Sequence, residues 1–273
     1  MTLPKAALPE RVEVYRDGTW HREPENRIEN EYAAERFIDS VGFCSALTDA
    51  RRPGPSLYVA VCGRRDTHMP RNVQKDPEAN LTWTIKDKIL RGGRVHYGKL
   101  RGSRSIFIRR GLLPYFNSLF GITRKQETSI LSIPAQNILK VLRKEWEMAT
   151  RDLRSASGVK DRQTFNKAID ELQRGFKVIP SEVVYKPLFS YIWSLAESRF
   201  PDELETRVST EHALNEIARV YLKGAGMTLR GELARATGIS NPEAGMGNWA
   251  LVDEGFATRI APGVYCLKEL DGG

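Results

Sequence analysis

Asp152-Leu153-Arg154-Ser155-Ala156-Ser157-Gly158 returns, in chemical outline, as Glu232-Leu233-Ala234-Arg235-Ala236-Thr237-Gly238, 80 residues further on. The same offset aligns Val141-Leu142 with Tyr221-Leu222, Leu172 with Val252, and Gly175-Phe176 with Gly255-Phe256. A match that keeps its register over such a span marks an internal repeat, and a repeat constrains the fold before any single element does.

Each copy reads as three helices and a hairpin. In the first, Ser132 and Pro134 open a helix whose apolar positions Ala135, Ile138, Leu139, Leu142 and Trp146 recur at helical spacing. A short helix follows, capped by Thr150 and stopped at Gly158. The third, Arg162 to Arg174, turns Phe165, Ala168, Ile169 and Leu172 inward and Gln163, Lys167, Asp170 and Arg174 outward, and Gly175 ends it. Two short strands are predicted, Phe176-Lys177-Val178-Ile179 and Val183-Val184-Tyr185, around a Pro180-Ser181 turn.

In the second copy, Ala213, Leu214, Ile217, Ala218, Tyr221 and Leu222 mark the first helix, and Thr228 to Gly238 the second. Asn241-Pro242 opens the third. A hairpin is predicted from Phe256 to Ile260 and Val264 to Leu267, turning at Ala261-Pro262-Gly263. Helix, short helix, third helix and hairpin is the winged helix-turn-helix order, in which the third helix usually enters the major groove. The expected fold is therefore α+β and mainly helical, with tandem winged helix-turn-helix modules following an N-terminal mixed α/β basic domain. The boundaries expected are a flexible arm over 1–26, the basic domain over 27–125, and the two modules over 126–205 and 206–273.

Composition narrows the function classes. The chain of 273 residues is 41% hydrophobic and 28% charged, too apolar for a disordered chain and too polar for a membrane protein. No apolar run approaches the ~18 residues of a spanning helix, and the opening residues hold no apolar signal core, so a cytoplasmic, nucleoid-associated protein is expected. Cys44, Cys62 and Cys266 are too far apart for a zinc motif, and His21, His68, His96 and His212 stand isolated. Ser157-Gly158-Val159-Lys160 fits Ser-x-x-Lys only at a helix turn, and no glycine-rich phosphate loop occurs. No metal, no cofactor and no membrane partner are expected.

The net charge of +8 is unevenly placed. Residues 1–50 carry six Lys/Arg against ten Asp/Glu, residues 51–110 fifteen against four, and residues 111–273 twenty-one against twenty. A segment of +11 suits phosphates, because each neutralised phosphate releases counterions. Lys86, Lys88, Arg91, Arg94, Lys99, Arg101 and Arg104 are its expected contacts to duplex DNA. The third helix of the first copy adds Arg162, Gln163, Asn166, Lys167 and Arg174, side chains suited to phosphates and base edges. Its counterpart offers Glu243, Gly247, Asn248, Asp253 and Glu254, which would repel DNA.

Five phrases in the first half carry a family resemblance: Gly42-Phe43-Cys44, Pro55-Ser56-Leu57-Tyr58, Trp83-Thr84-Ile85-Lys86-Asp87, Tyr97-Gly98-Lys99-Leu100 and Leu113-Pro114-Tyr115. Followed by winged helices, they resemble the AlkZ-related proteins, a group similar to the YcaQ/AlkZ type of bacterial DNA glycosylase; the resemblance spans roughly residues 30 to 268. It implies tandem winged helices and damaged DNA as the partner. Glycosylases of that type carry a catalytic Gln-x-Gln or Gln-x-Asp that stabilises the sugar cation and positions water. The match here is Gln74-Lys75-Asp76, in a loop-like stretch ahead of Pro77. Two functions follow as expectations: a DNA-binding protein for damage recognition or regulation without its own catalysis, or a monofunctional glycosylase acting on alkylated or crosslinked purines through Gln74 and Asp76.

Overall fold

The computed structural model describes residues 8–102 and 105–271. They form α1 (Glu10–Thr19), α2 (Glu31–Val41), β1 (Phe43–Ser45), α3 (Leu57–Cys62), α4 (Pro77–Gly92), β2 (Val95–Lys99), β3 (Ser105–Arg109), α5 (Leu113–Phe120), α6 (Glu127–Ile130), α7 (Ile133–Glu145), β4 (Glu147–Ala149), α8 (Thr150–Ala156), α9 (Arg162–Arg174), β5 (Val178–Val184), β6 (Ser190–Leu195), α10 (Ala196–Arg199), α11 (Pro201–Glu205), α12 (Thr210–Ala225), β7 (Met227–Thr228), α13 (Glu232–Thr237), α14 (Asn241–Asp253), β8 (Ala257–Ala261) and β9 (Val264–Leu267). The fold is α+β, helices predominating over small antiparallel sheets. Among the described residues no helix is long and apolar enough to cross a membrane, and no three His, Cys, Asp or Glu side chains gather as metal ligands. Two compact units result, one made of Lys86–Thr210, the other of the chain up to Ile85 and from Glu211 onward.

In the Lys86–Thr210 unit, α7 opens as its sequence predicts. Ser132 accepts a hydrogen bond from the Ala135 amide, Pro134 sits in the first turn, and Ala135, Ile138, Leu139 and Leu142 are buried. Trp146, expected on that face, is 69% exposed, because the helix ends before it and its φ of 67° turns it away. Thr150 is not a cap either. It begins α8, its hydroxyl donating to the Tyr191 carbonyl (3.1 Å) and accepting from Trp193 Nε1 (2.9 Å), which ties α8 to β6. α9 runs as expected, and its four inward side chains join Leu139, Leu142, Leu153 and Trp193 in one core.

The hairpin differs most from expectation. Pro180-Ser181 is no turn: β5 runs through it, with a bulge between Pro180 and Glu182, and pairs with β6, which the sequence pattern did not show. A proline lacks the ladder donor, and a bulge is where a sheet tolerates that loss. The strand order is β4-β6-β5, and the connecting loop is 185–189.

His96 of β2 is buried in the same unit, its ring stacked on Phe176 at 5.0 Å and edge-on to Phe200 at 5.8 Å. Burial lowers its pKa to about 3. The folded chain thus holds a neutral imidazole, whereas the unfolded chain binds a proton near pH 6.5. Stability present above that pH is lost as the pH falls toward 3, by up to about 1.4 kcal/mol per unit. In His96→Phe, which keeps an aromatic ring there, the drop in urea midpoint from about pH 7 to about pH 5 will be smaller than in the wild type. An identical drop would remove His96 as its source.

In the other unit α12, β7, α13, α14, β8 and β9 repeat the succession helix, strand, helix, helix, strand, strand, and the order β7-β9-β8 reproduces β4-β6-β5. The offset of 80 holds through Trp146 and Gly226, both at positive φ, and through Gly158 and Gly238. It then becomes 79: the N-caps of α9 and α14 are Asp161 and Ser240, and Phe176 and Gly255 share the positive-φ turn after them. One residue fewer in the connection moves Leu172 opposite Leu251 rather than Val252, and both leucines are fully buried. α13 starts later than expected, at Glu232, because Thr228 pairs with Tyr265 in β7.

The stretch expected as a flexible arm contains α1, which packs on this second copy. Val12 is buried with Met227 and Cys266. Arg16, 4% exposed, donates to the carbonyls of Ala225 (2.9 Å) and Met227 (2.6 Å) and pairs with Glu232 at 3.0 Å. Gly226 is required there, since a Cβ would stand 2.8 Å from the Tyr15 ring on a backbone with φ of +68°. A carboxylate and a guanidinium with this many partners are anchored although buried.

Candidate nucleic-acid interface

The outward face of α9 follows from what its inward face must do. Asp161 accepts the Thr164 amide at 2.6 Å and starts the helix; hydrogen bonds from Thr164 hold that carboxyl below its usual pKa. With Phe165, Ala168, Ile169 and Leu172 buried, Arg162, Gln163, Asn166 and Lys167 are exposed. Among the described residues neither Arg162 nor Lys167 forms a salt bridge, although the charge of Lys167 is felt by Asp161. Arg151 of α8 and Lys160 of the intervening turn, also exposed and unpaired, enlarge the cationic surface. A salt-bridged cation must give up its partner to bind phosphate, whereas these four need not.

The other expected cations are placed less freely. Lys99 Nζ lies 2.6 Å from Asp170, which also takes Arg174 at 3.8 Å, so one carboxylate offsets part of two charges. Arg91 pairs with Glu182 at 3.0 Å, both well exposed. Lys88 and Arg94 are exposed, and Arg101 is exposed with its guanidinium 5.6 Å from the Phe120 ring centre. Arg104 lies outside the described residues. Lys86 is 6% exposed, its Nζ 2.6 Å from Asp87, 3.1 Å from the Tyr191 hydroxyl and 5.1 Å over that ring, so it is a packed cation and not a surface one. Of these expected contacts, Lys86 is packed and Arg91 and Lys99 are ion-paired, whereas Lys88, Arg94 and Arg101 are exposed.

Sequence reasoning missed the loop between β5 and β6. Tyr185, Leu188 and Phe189 are exposed there, with Lys186 among them. Ring contacts run inward from this tip, Tyr185 to Phe189 at 5.7 Å, Phe189 to Tyr191 at 5.3 Å and Tyr191 to Trp193 at 5.4 Å. The signal was the aromatic run itself, unreadable as a hairpin while β6 was unassigned. On α14, Met246 and Trp249 are exposed, the Arg259 guanidinium lies 5.0 Å from the Trp249 ring centre, and Glu254, just past the helix, pairs with Arg219.

Gln74 is exposed, in a single 3-10 turn before α4, and its carbonyl accepts from Asn80. Asp76 Oδ1 accepts the Ala79 amide at 2.7 Å and caps α4. In the chain alone Gln74 is therefore a surface side chain and Asp76 a half-buried one. As a cap, Asp76→Ala should cost about 1 kcal/mol of stability. A urea titration checks this, and an unchanged midpoint would leave the cap without energetic weight.

These features define an α+β protein built on a repeated helix–strand–helix–helix–hairpin unit, one copy of which exposes Arg162 and Lys167 on its third helix. The family model described as AlkZ related matches residues 28–225, and the chain belongs to that family. Among solved structures, the Streptomyces sahachiroi DNA glycosylase AlkZ is similar in fold, with a TM-score of 0.58 at 12% identity, over 97% of this chain and 71% of that one. No curated protein matches the chain.

Proposed function

We propose that this protein binds duplex DNA through the first copy of the repeat, which acts as a winged helix, with α9 in the major groove and the β5–β6 loop as the wing, and that it recognises damaged DNA without excising bases. The observation that carries the reading is the outward face of α9, where Arg162 and Lys167 stand exposed and unpaired beside Gln163 and Asn166. Cations supply affinity for phosphates and amides can read base edges. The second copy, acidic and apolar on its third helix, is a winged helix in architecture that does not read DNA. Membership in the AlkZ-related family supports a role in DNA repair.

The likeness in fold to a DNA glycosylase motivates a second reading, excision of alkylated or crosslinked purines. One experiment separates the two. Purified protein is incubated with end-labelled duplex carrying an N7-alkylated purine, treated with mild alkali and resolved on a denaturing gel, beside a native lane. Retarded but uncut DNA supports recognition without excision. Breaks at the lesion above the protein-free control would establish excision and direct attention to Gln74 and Asp76. DNA that is neither retarded nor cut at low salt would remove both readings.

A further inference from the structure

Two side chains on the outward face of α9 have no work to do in the fold. Gln163 and Asn166 are exposed, and their amides form no hydrogen bond to another described residue. Further along the helix the surface is already engaged, for Asp170 faces Lys99 at 2.6 Å. The second copy shows that the frame does not require the two amides. With the N-caps Asp161 and Ser240 aligned, the places of Gln163 and Asn166 are taken in α14 by Pro242 and Gly245, which carry no side-chain donor or acceptor. The helix forms and buries its inner face in both copies, so the amides are surplus to folding.

Their chemistry selects one base. A carboxamide sets an acceptor oxygen beside an N–H₂ donor. In the major groove adenine sets the N6–H₂ donor beside the N7 acceptor, whereas guanine offers two acceptors, cytosine a lone donor, and thymine an acceptor and a methyl group. Only adenine uses both ends of the amide at once. Three positions apart in a helix, Gln163 and Asn166 share a face and are offset by about 4.5 Å along its axis. That offset is close to the ~3.4 Å between successive bases of a strand.

We infer that Gln163 and Asn166 each read an adenine, at successive base pairs, and that the protein prefers duplexes containing adenine–adenine steps. The inference rests on α9 entering the major groove, as proposed above, and adds the base that it reads there. Gln163 Oε1 accepts from N6 of one adenine while Nε2 donates to its N7. Asn166 does the same for the next adenine through Oδ1 and Nδ2. Arg162 and Lys167, adjoining them on the exposed face, hold the phosphates and carry no preference.

Full-length protein is titrated by fluorescence anisotropy, at one salt concentration, against three labelled duplexes of about 18 base pairs, longer than the footprint of one groove-bound helix. The first repeats the triplet AAC. The second has the same sequence with 7-deazaadenine, which keeps N6 and the base pair but lacks the N7 acceptor. The third has guanine for adenine. The first should bind at least about tenfold more tightly than either of the others. In the double variant Gln163→Ala, Asn166→Ala the three affinities should converge to within about twofold. Its slope of log K against log salt should stay that of the wild type, because no charge is removed. A variant that had lost its fold could not keep that slope. Arg162→Ala with Lys167→Ala should do the reverse, flattening the slope and keeping the preference. Equal wild-type affinity for all three duplexes, a preference over the third but not over the second, or a preference that survives loss of both amides overturns the inference and leaves duplex binding by α9 in place. Absence of binding to any of the duplexes at low salt removes the reading on which the inference rests, and the inference with it.

Discussion

Replacing Arg162 and Lys167 together by alanine will flatten the salt dependence of duplex binding by about two units of log K against log salt. Each exposed cation that neutralises a phosphate contributes a slope of about −0.9, so two of them account for roughly 1.5 decades of affinity at 0.15 M salt, about 30-fold. The loss will be the same on unrelated duplex sequences, since phosphates carry no sequence information. Both side chains lie on the exposed face of α9, opposite its buried core, so folding should be untouched. Lys99→Ala is the control. Its ammonium already faces Asp170 at 2.6 Å, and removing it should change the slope by less than one unit. Fluorescence anisotropy across a salt series measures all three, and an unchanged slope in the α9 variant would remove this helix from the interface.

Arg16→Met will destabilise the unit that holds both ends of the chain by about 3–5 kcal/mol. The Arg16 guanidinium satisfies two carbonyls and the Glu232 carboxylate. With arginine gone, Glu232 keeps its hydrogen bond from the Leu229 amide and its neighbour Tyr221 but loses its ion-pair partner while it stays buried. A loss of that size lowers the thermal midpoint by roughly 10 °C or more in a protein of this length. The double variant Arg16→Met, Glu232→Met should regain most of it, because two apolar side chains of similar volume need no pairing. Calorimetry on the single and double variants decides. A double variant as unstable as the single one would show that the two carbonyls, and not the ion pair, set the energetics.

Local patterns by themselves determined the helices and the repeat. Apolar residues three and four apart, a capping Ser or Asp, and a glycine past the end are decided within a few residues, and α7, α9, α12, α14 and the β8–β9 hairpin lie where those signals put them. The outward face of α9 was legible for the same reason, because four inward apolar positions dictate which side chains are left outside. Only the tertiary structure decided the rest. α1 resembles a polar arm until Arg16 meets Glu232, 216 residues away, a contact that no local pattern encodes. Lys86 reads as one more cation in a basic run, yet Asp87 and Tyr191 make it a packed residue. β5 contains a proline that propensity reads as a turn, and only pairing with β6 shows it to be a strand. Asn248 reads as one polar residue on a helix that would repel DNA; only the connection shortened by one residue places it where the first copy buries Ile169. Helical periodicity is a local energy and is written locally, while burial, ion pairing and cavities depend on which distant segments arrive at the same place.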